Sequence, residues 1–171
     1  MAKVLMVVAP VDFRDEEAFG PREVLEAAGH RVLVASKGTR TAKGNMGGSL
    51  AVDVELADAK AGDYDAIIFI GGSGASCYFE DAEAHRLARE AAAAGKILGA
   101  ICIAPITLAK AGMLEGKRAT VWDNEGKQIG SIEKRGAKFS GEHVTVDGKL
   151  VTADGPAAAR EFGKRIVELL A

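Results

Sequence analysis

Short apolar runs recur along the chain, each too short to be a helix: KVLMVVA from Lys3, RVLVAS from Arg31, AIIFIGG from Ala66, KILGAI from Lys96 and KRATVW from Lys117. Runs that are apolar on both faces suit parallel strands covered by helices above and below. Between them stand segments with helical spacing and helix punctuation. EEAFGPREVLEAAG stops at Gly29, DAEAHRLAREAAAAG opens on a capping Asp81 and closes on Gly95, and PITLAKAG carries Pro105 in its first turn. HVTVDGKLVTADG reads as a hairpin turning at Asp147-Gly148, and PAAAREFGKRIVELLA as a terminal helix opening at Pro156. LAVDVEL alternates and suits a sheet edge. Strand-helix alternation of this kind predicts an α/β fold: one domain over residues 1–171, built on an open, mostly parallel sheet with helices on both faces. Ligands in such sheets bind beyond the carboxyl ends of the strands. Those ends are Ala9-Pro10, Gly71-Gly72 and Ile101-Cys102.

Charge excludes several partners. Lys plus Arg number 22 against 24 Asp plus Glu, a net charge of −2, which argues against nucleic acid and against a membrane surface. The first apolar run meets Pro10 and Asp12 early, so it reads as a strand and not a leader, and the expected compartment is the cytoplasm. Two cysteines are too few for a disulfide framework, and the three histidines, His30, His85 and His143, lack metal-ligand spacing. No metal and no cofactor are expected.

Three places carry chemistry. Cys102 stands between an apolar strand and the helix that Pro105 begins, with Ala100 and Ala104 two residues to either side. Small residues there suit the sharp strand-to-helix turn of a nucleophile elbow, although a free cysteine is as readily a buried core thiol. The run GGSGAS after the strand at Ile70 lacks the spacing of a dinucleotide or phosphate loop. Its two readings are a backbone-amide pocket in which the Gly72 N–H meets an oxyanion beside Cys102, and a plain glycine turn. DFRDEEAF, from Asp12, places acidic residues at the end of the first strand, where they suit a helix dipole or where one of them points inward as acid or base. Periodicity does not select which. Trp122 and Tyr78 either line a pocket or pack.

Together, KVLMVVA, DEEAFGPREVLEAAGHRVLVAS, DYDAIIFIGG, GAICIAPITLAKAGMLEGKRAT and VTVDGKLVTADGPAAAREFGKRIVELL resemble the ThiJ/PfpI superfamily nearly end to end. The resemblance implies a flavodoxin-like sheet of the class I glutamine amidotransferase type. It implies Cys102 as the reactive residue, Glu17 as the pocket carboxyl four positions before Pro21, and Gly72 and Ile103 as donors of oxyanion amides. Two positions depart from the pattern. PfpI-type proteases carry a histidine directly after the cysteine, where this chain has Ile103, and glyoxalase and deglycase relatives carry a histidine where this chain has Trp122.

The implied function is a cofactor-independent thiol enzyme acting on small reactive carbonyls or their protein adducts. The alternatives are a PfpI-like peptidase or amidase acting on peptides, and a non-enzymatic redox sensor in which Cys102 is oxidised. The resemblance also implies a homodimer or higher homo-oligomer. Helix amides and Glu17 are expected to favour the Cys102 thiolate near neutral pH. Cys77 has two readings. It packs beneath Tyr78 and Phe79 as a small apolar residue, or it comes within reach of Cys102 as a resolving thiol.

Overall fold

The computed structural model describes residues 1–171. In chain order the first half holds β1 (Lys3–Val7), β2 (Val11–Phe13), α1 (Asp15–Ala27), β3 (Arg31–Ser36), β4 (Thr41–Gly44), β5 (Ser49–Ala51), β6 (Val54–Glu55) and β7 (Ala66–Phe69). The second half holds α2 (Ala82–Ala93), β8 (Ile97–Ile101), α3 (Pro105–Lys110), β9 (Arg118–Ala119), α4 (Lys127–Glu133), β10 (Lys138–Phe139), β11 (Val144–Asp147), β12 (Leu150–Ala153) and α5 (Ala159–Leu170).

The main sheet has seven strands in the order β11-β12-β8-β7-β1-β3-β6. Every neighbouring pair is parallel except the β11–β12 hairpin, which turns through Gly148 at φ 61°. The mostly parallel α/β architecture is the one expected from the apolar runs. Two expected strands are shorter or divided. KRATVW holds β-structure only at Arg118–Ala119, and LAVDVEL is split between β5, in a small side sheet with β2 and β4, and β6 on the main sheet. β9 pairs only with the two-residue β10, so the backbone from Thr120 onward leaves the strand and carries Trp122 to the rim of the carboxyl edge.

Alternate side chains of each central strand go to opposite faces, which gives two cores. Leu5, Val7, Ile67, Phe69 and Leu98 pack on one face with Leu87 of α2 and Leu108 of α3. Val4, Met6, Ile68, Ile101 and Val151 pack on the other with Leu25 of α1 and Phe162 of α5. Asp81 caps α2 as its sequence position suggests, accepting from the amides of Glu83 and Ala84 at 2.9 and 3.0 Å. No helix is long and apolar enough to cross a membrane.

Helices α1 and α5 approach closely because both present glycine at the crossing. A Cβ on Gly163 would lie 2.9 Å from the Cα of Pro21, and one on Gly20 would lie 3.3 Å from the Cβ of Ala159. This crossing sets the height of the first turn of α1 above the sheet. A Gly163→Val variant is expected to lose about 1–3 kcal/mol of stability, the usual cost of overpacking, despite its better helix propensity. Urea unfolding measures it, and an unchanged midpoint would show that the crossing is not tight.

Candidate active site

The carboxyl edge of the sheet gathers four separate segments. Strand β8 ends at Ile101, and Cys102 follows with φ 65°, a left-handed conformation that costs a non-glycine residue about 1–2 kcal/mol. Two backbone hydrogen bonds hold it there. The Cys102 N–H donates to the Ala153 carbonyl at the end of β12, and the Trp122 N–H donates to the Cys102 carbonyl, both at 2.9 Å. The chain then turns through Ala104, whose N–H donates to the Ile101 carbonyl at 3.1 Å, into α3. The elbow expected from the small neighbours Ala100 and Ala104 is therefore present in the backbone.

Beside it, β7 runs out through Ile70 into Gly71-Gly72. Both glycines are needed for close approach. A Cβ on Gly71 would lie 2.5 Å from Glu17 Oε1 and 2.7 Å from the Ile101 carbonyl, in contact with the Cβ of Cys102. Gly72 has φ 104°, and a Cβ there would lie 2.6 Å from the Asp12 carbonyl. The amides of Gly72 and Ile103 lie near enough to the Cys102 sulfur to favour its charged form.

Glu17 lies in the first turn of α1 and is completely buried, its carboxyl group in the same small volume as Cys102. Neither carboxyl oxygen completes a hydrogen bond of good geometry. Cys102 and the Gly71 amide are nonetheless near enough to favour its charge, as is the Arg14 guanidinium. Burial outweighs them and pushes the Glu17 carboxyl up to about 7. Burial likewise pushes the Cys102 thiol up to about 12, with the Glu17 charge adding to the shift and the Gly72 and Ile103 amides opposing it. This differs from the expected lowered thiol. The cause is that α3 starts beneath a nearly closed sulfur, so loss of water outweighs the amides. The two groups act as a pair, since protonation of Glu17 removes the charge that raises Cys102 and supplies a proton to share.

The remaining candidates separate clearly. Trp122 lines the pocket and is 40% exposed. Tyr78 is buried in the core with its hydroxyl donating to the Val8 carbonyl at 2.8 Å, so it is no pocket residue. Cys77 is neither packed under Tyr78 nor part of the pocket. It is an exposed free thiol that feels Asp81 and Lys37, because the 3₁₀ turn Ser73–Tyr78 rotates it outward. Of the acidic cluster, Asp15 accepts from the amides of Met46 and Gly48 at 3.0 and 2.7 Å, tying the β4–β5 loop to α1, and Glu16 pairs with Arg14. None of the three histidines lines the pocket; His143 lies outside it, paired with Asp154 at 2.8 Å.

The cavity over Cys102 measures about 370 Å³, in the range of a small-ligand site. A wider hollow of about 810 Å³ lies beside α2 around Arg86. It holds no nucleophile, and Arg86 is already spent on Glu83, Glu90 and the Ala59 carbonyl. Sequence reasoning missed Arg14, Asn45, Ser73 and Gln128, which rim the smaller cavity. Arg14 sits inside a stretch singled out for its carboxylates alone. Gln128 arrives because Asp123 caps α4, taking hydrogen bonds from the amides of Ile129, Gly126 and Gln128.

The family model described as DJ-1/PfpI matches residues 2–169. A glutathione-independent glyoxalase of Caenorhabditis elegans is 30% identical over 166 residues, covering 97% of this chain and 87% of that protein. A deglycase of Pyrococcus horikoshii is 30% identical over 168 residues, covering 98% and 99%. The crystal structure of a ThiJ/PfpI domain protein from Brachyspira murdochii superposes with a TM-score of 0.94 at 29% identity, covering 98% of this chain and 95% of that one.

Two measurements follow from this geometry. Because φ is positive at position 102, Cys102→Gly is expected to be more stable than Cys102→Ala by about 1 kcal/mol, the reverse of the usual order. Denaturant midpoints of the two variants decide it. For Glu17 the folded state holds the proton more tightly than the unfolded chain, where the carboxyl titrates near ~4.3. Its stabilising contribution is full below that value and is lost as pH rises through about 7. The stability of the wild type relative to Glu17→Gln should therefore fall by about 3 kcal/mol between pH ~4.5 and ~8. A pH-independent difference would mean that the carboxyl is not raised.

Proposed function

The chain belongs to the DJ-1/PfpI family, and from that membership we propose that it is a cofactor-independent thiol enzyme converting small 2-oxoaldehydes such as methylglyoxal to 2-hydroxy acids. The observation that carries the reading is the fully buried, unpartnered Glu17 carboxyl set beside the sulfur of a strained elbow. A buried carboxyl without a partner is costly, and a substrate that exchanges protons with it supplies the partner.

The chemistry follows from those positions. Cys102 transfers its proton toward Glu17 and its sulfur adds to the aldehyde carbon, forming a C–S bond. The oxyanion so formed is held by the Gly72 and Ile103 amides and takes that proton from Glu17 to give a hemithioacetal, leaving Glu17 as the carboxylate. Glu17 then removes the hydrogen of the former aldehyde carbon, giving an enediolate, and returns a proton to the neighbouring carbon. Transfer of the hydroxyl proton to the oxygen of that neighbouring carbon leaves a 2-hydroxyacyl thioester on Cys102, and water hydrolyses it to the 2-hydroxy acid and the free thiol. The net change is addition of one water, with no external oxidant or reductant. A carboxyl titrating near neutrality suits this, since it both accepts and donates within one cycle. The glyoxalase and deglycase relatives at 30% identity support the substrate class. A peptidase reading finds no histidine in the pocket to serve as base.

Lactate formed from methylglyoxal by the purified protein tests this. Cys102→Ser should abolish turnover, and Glu17→Gln should lower kcat by about 10²–10⁴-fold, the usual contribution of general acid-base catalysis. Full activity in either variant would remove that residue from the mechanism, and no lactate from the wild type would refute the assignment.

A further inference from the structure

Arg14 is not used by the mechanism above, yet its placement is specific. It is the residue immediately before α1, and its N–H donates to the Gly71 carbonyl at 3.0 Å while its carbonyl accepts from the amides of Glu17 and Ala18. Its backbone is thus bound to both the glycine loop and the helix that carries Glu17. The side chain is 36% exposed at the cavity mouth, and its Nε donates to Glu16 at 2.8 Å. That bond is the sole hydrogen bond of the guanidinium within the chain. The two terminal amino groups are left without an acceptor on a group whose orientation Glu16 already fixes.

An exposed ion pair of this sort contributes little to stability, so stability does not account for the arrangement. Its geometry does suit recognition. With Nε occupied, the side-on face of the guanidinium is closed, and the parallel N–H bonds of its two ends remain for an end-on bidentate contact with a carboxylate. Further unpartnered donors stand around the same cavity. The Gln128 side chain gives its oxygen to the Asn124 amide, leaving its NH₂ group free, and the Ser73 hydroxyl has no partner in the chain. Of the nearby carboxylates, Asp15 is engaged by the amides of Met46 and Gly48 and Glu16 by Arg14 itself; Glu17, the one carboxyl that lines the cavity, repels an anion only when it is ionised, so the contact is favoured while Glu17 holds its proton.

We propose that Arg14 is a specificity residue that binds a substrate carboxylate, so that the preferred 2-oxoaldehydes carry a carboxylate on the ketone side of the molecule. The substrate class rests on the reaction proposed above; the carboxylate subsite beside Cys102 does not. A compound of this class is 4,5-dioxopentanoate, which by the same addition of water gives 2-hydroxyglutarate.

The subsite is tested without turnover by alkylating Cys102 with iodoacetate and with its neutral isostere iodoacetamide. In both reactions the thiolate sulfur forms a bond to the CH₂ carbon and iodide leaves, so the ratio of the two rate constants cancels changes in thiol ionisation. The ratio at Cys102, followed by peptide mass spectrometry, is expected to exceed that at Cys77 and at N-acetylcysteine amide by about tenfold or more, the effect of one charge-assisted contact. Arg14→Gln should return it to the free-thiol value, and Arg14→Lys should leave it intermediate, because lysine keeps the charge but lacks the fork. A wild-type ratio equal to that of the free thiol, or one unchanged in Arg14→Gln, overturns the proposal. The turnover arm compares kcat/KM for 4,5-dioxopentanoate and methylglyoxal. A preference for the former that falls about tenfold or more in Arg14→Gln supports the substrate class. Equal losses on both substrates would show that Arg14 acts only on protonation in the site. A raised labelling ratio without turnover of either compound would uphold the carboxylate subsite and refute the glyoxalase reading; turnover of methylglyoxal without a raised ratio would do the reverse.

Discussion

Everything at the carboxyl edge depends on two backbone hydrogen bonds that clamp Cys102 between Ala153 and Trp122. A cysteine at φ 65° would relax if it were free to do so, and relaxation would carry its sulfur away from the Gly72 and Ile103 amides. The clamp works because β12 lies beside β8 in parallel register, with Ala153 opposite Ile101, so the next N–H along β8 finds a carbonyl waiting. Sheet register, more than any side chain, aims the thiol.

The second constraint is electrostatic. Glu17 and Cys102 are both nearly cut off from water, which raises the cost of charging either, and the Glu17 charge adds to that cost for the thiol. The fold tolerates this because α1 is fixed elsewhere, by the glycine crossing with α5 and by the Asp15 contacts to the β4–β5 loop. Stability invested in the far side of α1 thus maintains an unfavourable carboxyl at its near end, a common exchange at sites where a titratable group must react.

The architecture was largely legible in the sequence because it rests on periodicity. Runs apolar on both faces, separated by capped helical segments, leave few arrangements other than a parallel sheet between helices. The elbow was legible because its neighbours had to be small. Glu17 was not, since a carboxylate at a helix start has the same local pattern whether it faces water or protein, and only the family resemblance selected it from Asp12, Asp15 and Glu16. Tyr78 and Cys77 misled for a related reason. Adjacency to a glycine loop implies nearness to its ligand only if the chain continues in the same direction, and here it coils into a 3₁₀ turn that buries the tyrosine and exposes the cysteine. Arg14 was hidden among acidic residues, where a lone cation reads as a counter-ion.

The position of β12 in the chain has a temporal consequence. The carbonyl that locks Cys102 belongs to residue 153, fifty-one positions later, and the strand that bears it is the last of the sheet to be made. While a ribosome is still extending the chain, β8 can pair with β7, but the elbow has no partner on its other side. Until then the Cys102 N–H lacks the Ala153 carbonyl that holds it at positive φ. Synthesis in the N-to-C direction therefore builds in a delay, so that the sulfur takes up its constrained geometry only once β12 has been made and has paired with β8.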